Sequence, residues 1–85
     1  MIDMTIGTAV KERILALCQK RSITINKLGT LSGVTQSTIN NIISGRNNST
    51  TIATIKKLCD GLDISIIDFF NADVFRALEQ EIHRR

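Results

Sequence analysis

Apolar residues recur along this chain at three- and four-residue spacing, the period of helices with one buried side. Val10, Ile14, Leu17 and Cys18 make the first such stripe and predict a helix over 8–21, with Thr8 as its cap and Lys20 and Arg21 at the end that favours cations. Thr24 and Thr35 predict caps for helices over 25–32 and 36–44, with Gly33 at the sharp turn between them and Gly45 stopping the second. Propensity alone would make the β-branched run around Ile23 to Ile25 a strand, but the spacing of Leu28, Gly29 and Gly33 favours the helix. Thr51 predicts the next cap, followed by the stripe Ile52, Ile55, Leu58, Cys59 and Leu62, with Gly61 weakening the helix end. A short helix is predicted over 64–70, capped by Ser65, with Asp68 in its first turn. Val74, Leu78 and Ile82 then recur every four residues with Phe75 beside them, which predicts an amphipathic tail helix within 71–85. Residues 1–7 alternate apolar and polar, and fit an edge strand or a frayed leader equally well. The chain therefore reads as all-α: a leader over 1–7, a domain over 8–70 built around the motif 24–45, and the tail over 71–85.

One helix face stands apart. Wound at about 100° per residue, the segment 36–44 puts Gln36, Ser37, Asn40, Asn41 and Ser44 on one side and Ile39, Ile42 and Ile43 on the other. The buried side is aliphatic, and the outward side consists of amides and hydroxyls without a charge. An ordinary solvated face carries Lys and Glu. Amides pair bidentately with adenine and hydroxyls donate or accept, so this composition suits contact with base edges.

The stretch TINKLGTLSGVTQSTINNIISG, residues 24–45, resembles the helix-turn-helix of the phage-repressor and Cro class, also called the xenobiotic-response-element class. The likeness extends from about Val10 to Phe70, and GRNNSTTIATIKKLCDGLDISIIDFF resembles the fourth and fifth helices of that class. It implies a five-helix, lambda-repressor-like DNA-binding domain, here followed by the extra amphipathic C-terminal helix. By the same resemblance, Gln36, Ser37, Asn40 and Asn41 match base-reading positions, and Thr35 and Ser44 hold phosphate or sugar. Thr24, Asn26, Lys27, Arg46 and Asn47 are further candidates for the DNA backbone. Three positions depart from the pattern. Ile25 stands where Gln commonly contacts a phosphate and braces the recognition helix, Thr50 stands where Pro is frequent, and Thr54 replaces the Glu that completes a capping box.

Charge adds to the picture through its distribution. The net charge of +3 is modest, but no Asp or Glu occurs from Arg13 to Cys59, a stretch that carries Arg13, Lys20, Arg21, Lys27, Arg46, Lys56 and Lys57. The basic part contains the uncharged reading face, an asymmetry that points to a polyanion partner. With 85 residues the chain makes one small domain. It has no apolar run of about 18 residues and no signal-peptide pattern, which implies a cytoplasmic protein with no membrane partner, and the resemblance implies a bacterial or phage origin. Cys18 and Cys59, the two cysteines, fall at apolar positions and read as reduced core thiols. His83 is the only histidine, so no metal site is expected and no cofactor is implied. No carboxylate pair, glycine-rich phosphate loop or nucleophile with a usable histidine is visible, which excludes the common enzyme classes.

These features predict a sequence-specific regulator, a repressor more readily than an activator, that binds double-stranded DNA at a palindromic operator. Two such motifs spaced one DNA turn apart, about 34 Å, need a fixed two-fold contact. Phe69, Phe70, Val74, Phe75, Leu78 and Ile82 are the candidates for that homodimer surface, in preference to a tail folded back on its own domain. The alternative is a protein-interaction module that pairs with a toxin or antagonist protein through the same apolar tail.

Overall fold

Five of the helices begin with one device, a hydroxyl that accepts the backbone N–H three residues on. Thr5 accepts from Thr8 at 3.2 Å, Thr24 from Lys27 at 3.0 Å, Thr35 from Thr38 at 3.2 Å, Thr51 from Thr54 at 3.1 Å and Ser65 from Asp68 at 3.0 Å. Each cap satisfies an N–H that the helix itself cannot pair, an effect of about 1 kcal/mol. The computed structural model describes residues 4–44, 49–78, 80 and 82. Its elements are α1 (Ile6–Arg21), α2 (Ile25–Ser32), α3 (Gln36–Ile43), α4 (Ile52–Leu62), α5 (Ile66–Phe70) and α6 (Asp73–Arg76). The described residues are helical or irregular, with no strand, so the all-α reading holds.

The first helix starts earlier than the sequence predicts. Thr5, not Thr8, is its cap, because Ile6 and Gly7 already lie in the helix and Ile6 packs against the core. Residues 4–7 are thus part of the domain rather than a separate leader; residues 1–3 lie outside the described ones. The fifth helix starts later, at Ile66 behind the Ser65 cap, and Ile64 packs against the core from the connection.

The core is continuous through all the principal helices. Ile14 from α1, Leu28 from α2, Ile39 and Ile42 from α3, Ile55, Leu58, Cys59 and Leu62 from α4 and Phe69 from α5 are all buried in one cluster. Cys18 and Cys59 are free thiols within it, and burial raises both pKa values, so both stay protonated and apolar in character. The most extensive contact between two helices is that of α2 with α4. A Cβ on Gly61 would lie 3.0 Å from Ser32, so this glycine lets the two helices approach instead of ending α4. The α4 turn ends at Asp63, and α1 ends at Ser22, both in the left-handed region with φ of 57° and 56°.

The tail differs most from its sequence reading. Among the described residues of the tail, the sixth helix is a single turn, α6 (Asp73–Arg76), whose cap position Ala72 offers no side-chain hydrogen bond; residues 79, 81 and 83–85 lie outside the described ones. One turn fixes several residues for a single bond, and among the described residues that follow none is deeply buried to sustain it. Its surroundings are local. Arg76 pairs with Asp73 at 2.9 Å and with the Asn71 side chain at 3.1 Å. The turn packs back on α1.

The dimer candidates divide accordingly. Phe69 is 0% exposed, so it belongs to the core of its own domain and cannot face a second copy. Phe70 and Phe75 are half-buried against the same core, with ring centroids 4.9 Å apart and Phe69 within 5.0 Å of Phe70 and 5.9 Å of Phe75. Val74 and Leu78 are partly covered, and Ile82 is exposed. Ile67 on α5, which was not among the candidates, is the most exposed large apolar residue described, at 77%.

Candidate nucleic-acid interface

The motif is built by two short helices and the turn between them. In α2, Thr24 caps the start and Leu28 buries its side chain. The helix ends at Gly33, whose φ of 69° an L-residue rarely adopts. The Val34 N–H bonds back to the Gly29 carbonyl at 3.1 Å, Val34 drops into the core, and Thr35 starts α3 two residues after the turn. The Thr35 hydroxyl also donates to the Thr38 hydroxyl at 3.0 Å, so the first turn of α3 is doubly tied.

Helix α3 then presents the face the sequence predicts. Ile39 and Ile42 are 2% and 1% exposed and anchor the helix, with Ile43 half-buried beside them. Gln36, Ser37, Asn40 and Asn41 all project to solvent, and so does Ser44, which follows the last helical residue. The Ser44 hydroxyl donates to the Asn41 carbonyl at 2.7 Å and closes the final turn. The anchor is rigid because β-branched isoleucines have few rotamers.

The two helices are joined at their N-terminal ends. The Gln36 amide Nε2 donates to the backbone carbonyl of Asn26 at 3.3 Å. Thr30 donates to the same carbonyl at 3.2 Å. The start of α2, with Asn26 and Lys27 exposed, therefore lies directly beside the start of the reading face. Ile25, the departure from the class pattern, is half-buried and packs against the core.

On the other side of α3 a cleft of about 240 Å³ separates it from the start of α4. Its walls are almost entirely polar: Thr38, Asn41, Ser49, Thr50, Thr51 and Thr54, with Ile42 at the back. Sequence reasoning did not connect Ser49, Thr50 and Thr54 with the reading face, since their proximity arises only when α4 folds across α3. Arg46 and Asn47, both candidates for the DNA backbone, lie outside the described residues, as does Gly45.

The basic residues of the sequence do different work in the fold. Arg13 is turned inward and holds the end of α5. Lys56 pairs with Asp60 one turn along α4, which raises the Lys56 pKa through that hydrogen bond and the carboxylate charge. Lys20, Arg21, Lys27 and Lys57 remain on the surface. No group of three or more potential metal ligands occurs among the described residues. Among them, too, no helix is long and apolar enough to cross a membrane.

Known proteins share this architecture. The helix-turn-helix family model matches residues 14–69. The chain is 42% identical over 53 residues to the HTH-type transcriptional repressor RghR of Bacillus subtilis (strain 168), a match that takes in 62% of this chain and 39% of that protein. It thus spans about two fifths of the length of that curated relative. It also superposes on the crystal structure of the prophage Lp1 protein 11 with a TM-score of 0.76 at 41% identity, over 84% of this chain and 92% of the other. Both similarities fall on the phage-repressor type of helix-turn-helix that the residues around Gly33 resemble.

Proposed function

The chain belongs to the helix-turn-helix family of DNA-binding transcription regulators, and on that basis we propose that it represses transcription by reading the major groove of an operator with α3. Gln36, Ser37, Asn40 and Asn41 make the base contacts. Thr24, Asn26, Lys27, Thr35 and Ser44 hold the flanking phosphates and sugars, joined by Arg46 and Asn47. The observation that carries this reading is the pairing of an uncharged amide-and-hydroxyl face with an isoleucine anchor that is nearly fully buried. A face without lysine or glutamate contributes little to nonspecific attraction, so its chemistry is suited to distinguishing bases. Exposed Lys27, Lys20 and Arg21 supply the general attraction to phosphate. The repressor role follows the name of the Bacillus relative, of which only a part is matched.

We further propose a homodimer on a palindromic operator, since two reading helices about 34 Å apart match successive major grooves on one side of the duplex. Phe69 is excluded from the dimer surface by its burial. Phe70, Val74, Phe75 and Leu78 are partly covered, and Ile67 and Ile82, at 77% and 72% exposure, are the most open large apolar residues among those described. Their exposure also favours the second reading, a surface for an antagonist or toxin protein.

Selection of bound sequences from a random duplex pool, with the recovered motif titrated at two salt concentrations, tests both. A palindromic motif with half-sites about one turn apart is expected. Weak, salt-sensitive binding without an enriched motif would move the function to the protein-partner reading.

A further inference from the structure

We infer that Thr54, on α4 and away from the recognition helix, is a positioning residue for base recognition: its hydroxyl acts across the polar cleft, through water, to restrain the amide of Asn41. The inference rests on the proposed base-reading role of Asn41.

Three observations meet at the cleft. Its volume is about 240 Å³, with Thr38 and Asn41 on the α3 side and Thr51 and Thr54 on the α4 side. The Asn41 side chain is exposed, and among the described residues no hydrogen bond ties its amide to the protein; the contact with Ser44 uses the Asn41 backbone carbonyl. The hydroxyls of the two walls are arranged alike. The cap Thr51 donates to the Thr54 Oγ1 at 3.0 Å, and the cap Thr35 donates to the Thr38 Oγ1 at 3.0 Å. Thr38 and Thr54 thus each accept one bond from a cap and keep their own proton to donate.

A cleft of this size and polarity holds water. One water takes about 30 Å³ and binds two to four polar partners. Ile42 at the back offers none, so the partners are the hydroxyls of the walls and the Asn41 amide. A water that accepts the Thr54 proton and bonds to the Asn41 amide limits rotation of that amide about its last torsion. A restrained amide presents one fixed pair, a donor beside an acceptor, to a base edge. A free one swaps donor and acceptor at little cost, meets the wrong base more easily and loses more entropy on binding. Thr54 stands where the class pattern has the Glu of a capping box, and the hydroxyl keeps this wall of the cleft uncharged.

The test uses the full chain and single-base variants of the duplex recovered from the random pool. Asn41→Ala is expected to lower discrimination by about tenfold at one position of the half-site. Thr54→Val is nearly isosteric and leaves the cap intact, because the cap bond uses the Thr54 backbone N–H at 3.1 Å. It should lower discrimination severalfold at that same position, with affinity for random duplex unchanged. Thr54→Ser keeps the hydroxyl and should discriminate as the parent does. Asn41→Ala combined with Thr54→Val should lose no more than Asn41→Ala alone. Full discrimination in Thr54→Val, or an equal loss in Thr54→Ser, would overturn the positioning role while leaving base reading intact. An equal loss of affinity on random duplex would make Thr54 a DNA contact and overturn that role as well. An Asn41→Ala protein that loses discrimination nowhere, or a pool that yields no motif, would overturn both. If Thr54→Val does not fold, proton NMR of the unaltered protein decides. Cross-relaxation of one slowly exchanging water with the Asn41 side-chain amide and with Thr54 is expected, and its absence refutes the bridge.

Discussion

Arg13 on α1 grips the end of α5: its Nε donates to the Phe69 carbonyl oxygen at 2.7 Å, and a terminal guanidinium nitrogen donates to that of Asp68 at 2.6 Å. These carbonyls lie where a helix leaves acceptors without intrahelical partners, and a fixed cation suits the negative end of the peptide dipoles. Phe69, held by the same contact, is fully buried. Arg13→Ala is therefore expected to cost about 1.5–3 kcal/mol of folding stability, the range for hydrogen bonds to a charged group. Urea unfolding measures this. The salt dependence of DNA binding should be the same as in the unaltered protein, because this cation faces α5 and not a phosphate. A lower salt slope in the variant would return Arg13 to the DNA-facing charges.

Among the described residues three turns use the left-handed backbone region, and one of them has glycine there. Gly33 has φ of 69°, and a Cβ added to it would meet nothing within 4 Å. Gly33→Ala is thus a test of backbone strain alone, with an expected loss of about 1 kcal/mol. Ser22 and Asp63 carry that strain already, at φ of 56° and 57°. Replacing either with glycine relieves it but frees the unfolded chain, for a net gain of about 0.5 kcal/mol. Ser22→Gly should gain more, since aspartate tolerates this region better than serine. Thermal midpoints give the order, with Gly33→Ala below the parent and both glycine variants above it.

Much of this domain was legible in its sequence, for a physical reason. The starts of α2, α3 and α4 are set by local chemistry, a threonine followed by a run that can take helical geometry, and local chemistry is what a sequence displays. The exposed polar face of α3 was equally visible, since a period of 3.6 residues sorts Gln36, Ser37, Asn40 and Asn41 from Ile39 and Ile42 without knowledge of any neighbour. What was missed depends on residues far apart in the chain. Arg13 counts as one more cation until α5 arrives 56 positions later. Gly61 reads as a weak point until Ser32 is found against it. Phe69 looked surplus to a small core that in fact needs it. The tail pattern had the right period, but its candidate residues past Phe75, Leu78 and Ile82, have neither cap nor deep burial to sustain a helix.

The two buried thiols give the fold a dependence on alkaline pH. Burial raises the pKa of Cys18, and raises that of Cys59 most strongly among several opposing influences. With the folded value above the unfolded one, the unfolded chain gives up its thiol protons first as pH rises. Stability is then fully present below the unfolded thiol pKa and declines above it, in the region of pH 8.5 and beyond. The same protonation predicts slow alkylation. Iodoacetamide at neutral pH should modify neither cysteine in the folded protein and both after unfolding in urea, as read by mass spectrometry. Rapid modification of either thiol without denaturant would contradict the packed core around it.

Base reading and phosphate contact are separable on the recovered operator because they respond differently to sequence and salt. Asn41 is exposed on the reading face and also lines the polar cleft against α4. Asn41→Ala removes an amide that can form two hydrogen bonds with one base, an expected loss of about 1–3 kcal/mol on the operator and almost none on random duplex. Lys27 is exposed at the start of α2, beside the Asn26 carbonyl that holds Gln36. Lys27→Ala should weaken operator and random duplex alike and reduce the slope of log affinity against log salt by about 0.9, the release of one counterion. The two variants together should show both effects at nearly full size, since one acts on discrimination and the other on attraction. Fluorescence anisotropy across a salt series, with operator and scrambled duplexes in parallel, measures all four quantities. Equal losses for Asn41→Ala on both duplexes would remove Asn41 from the base contacts. An unchanged slope for Lys27→Ala would place the phosphate contacts on other cations, with Lys20 and Arg21 at the end of α1 the next to replace.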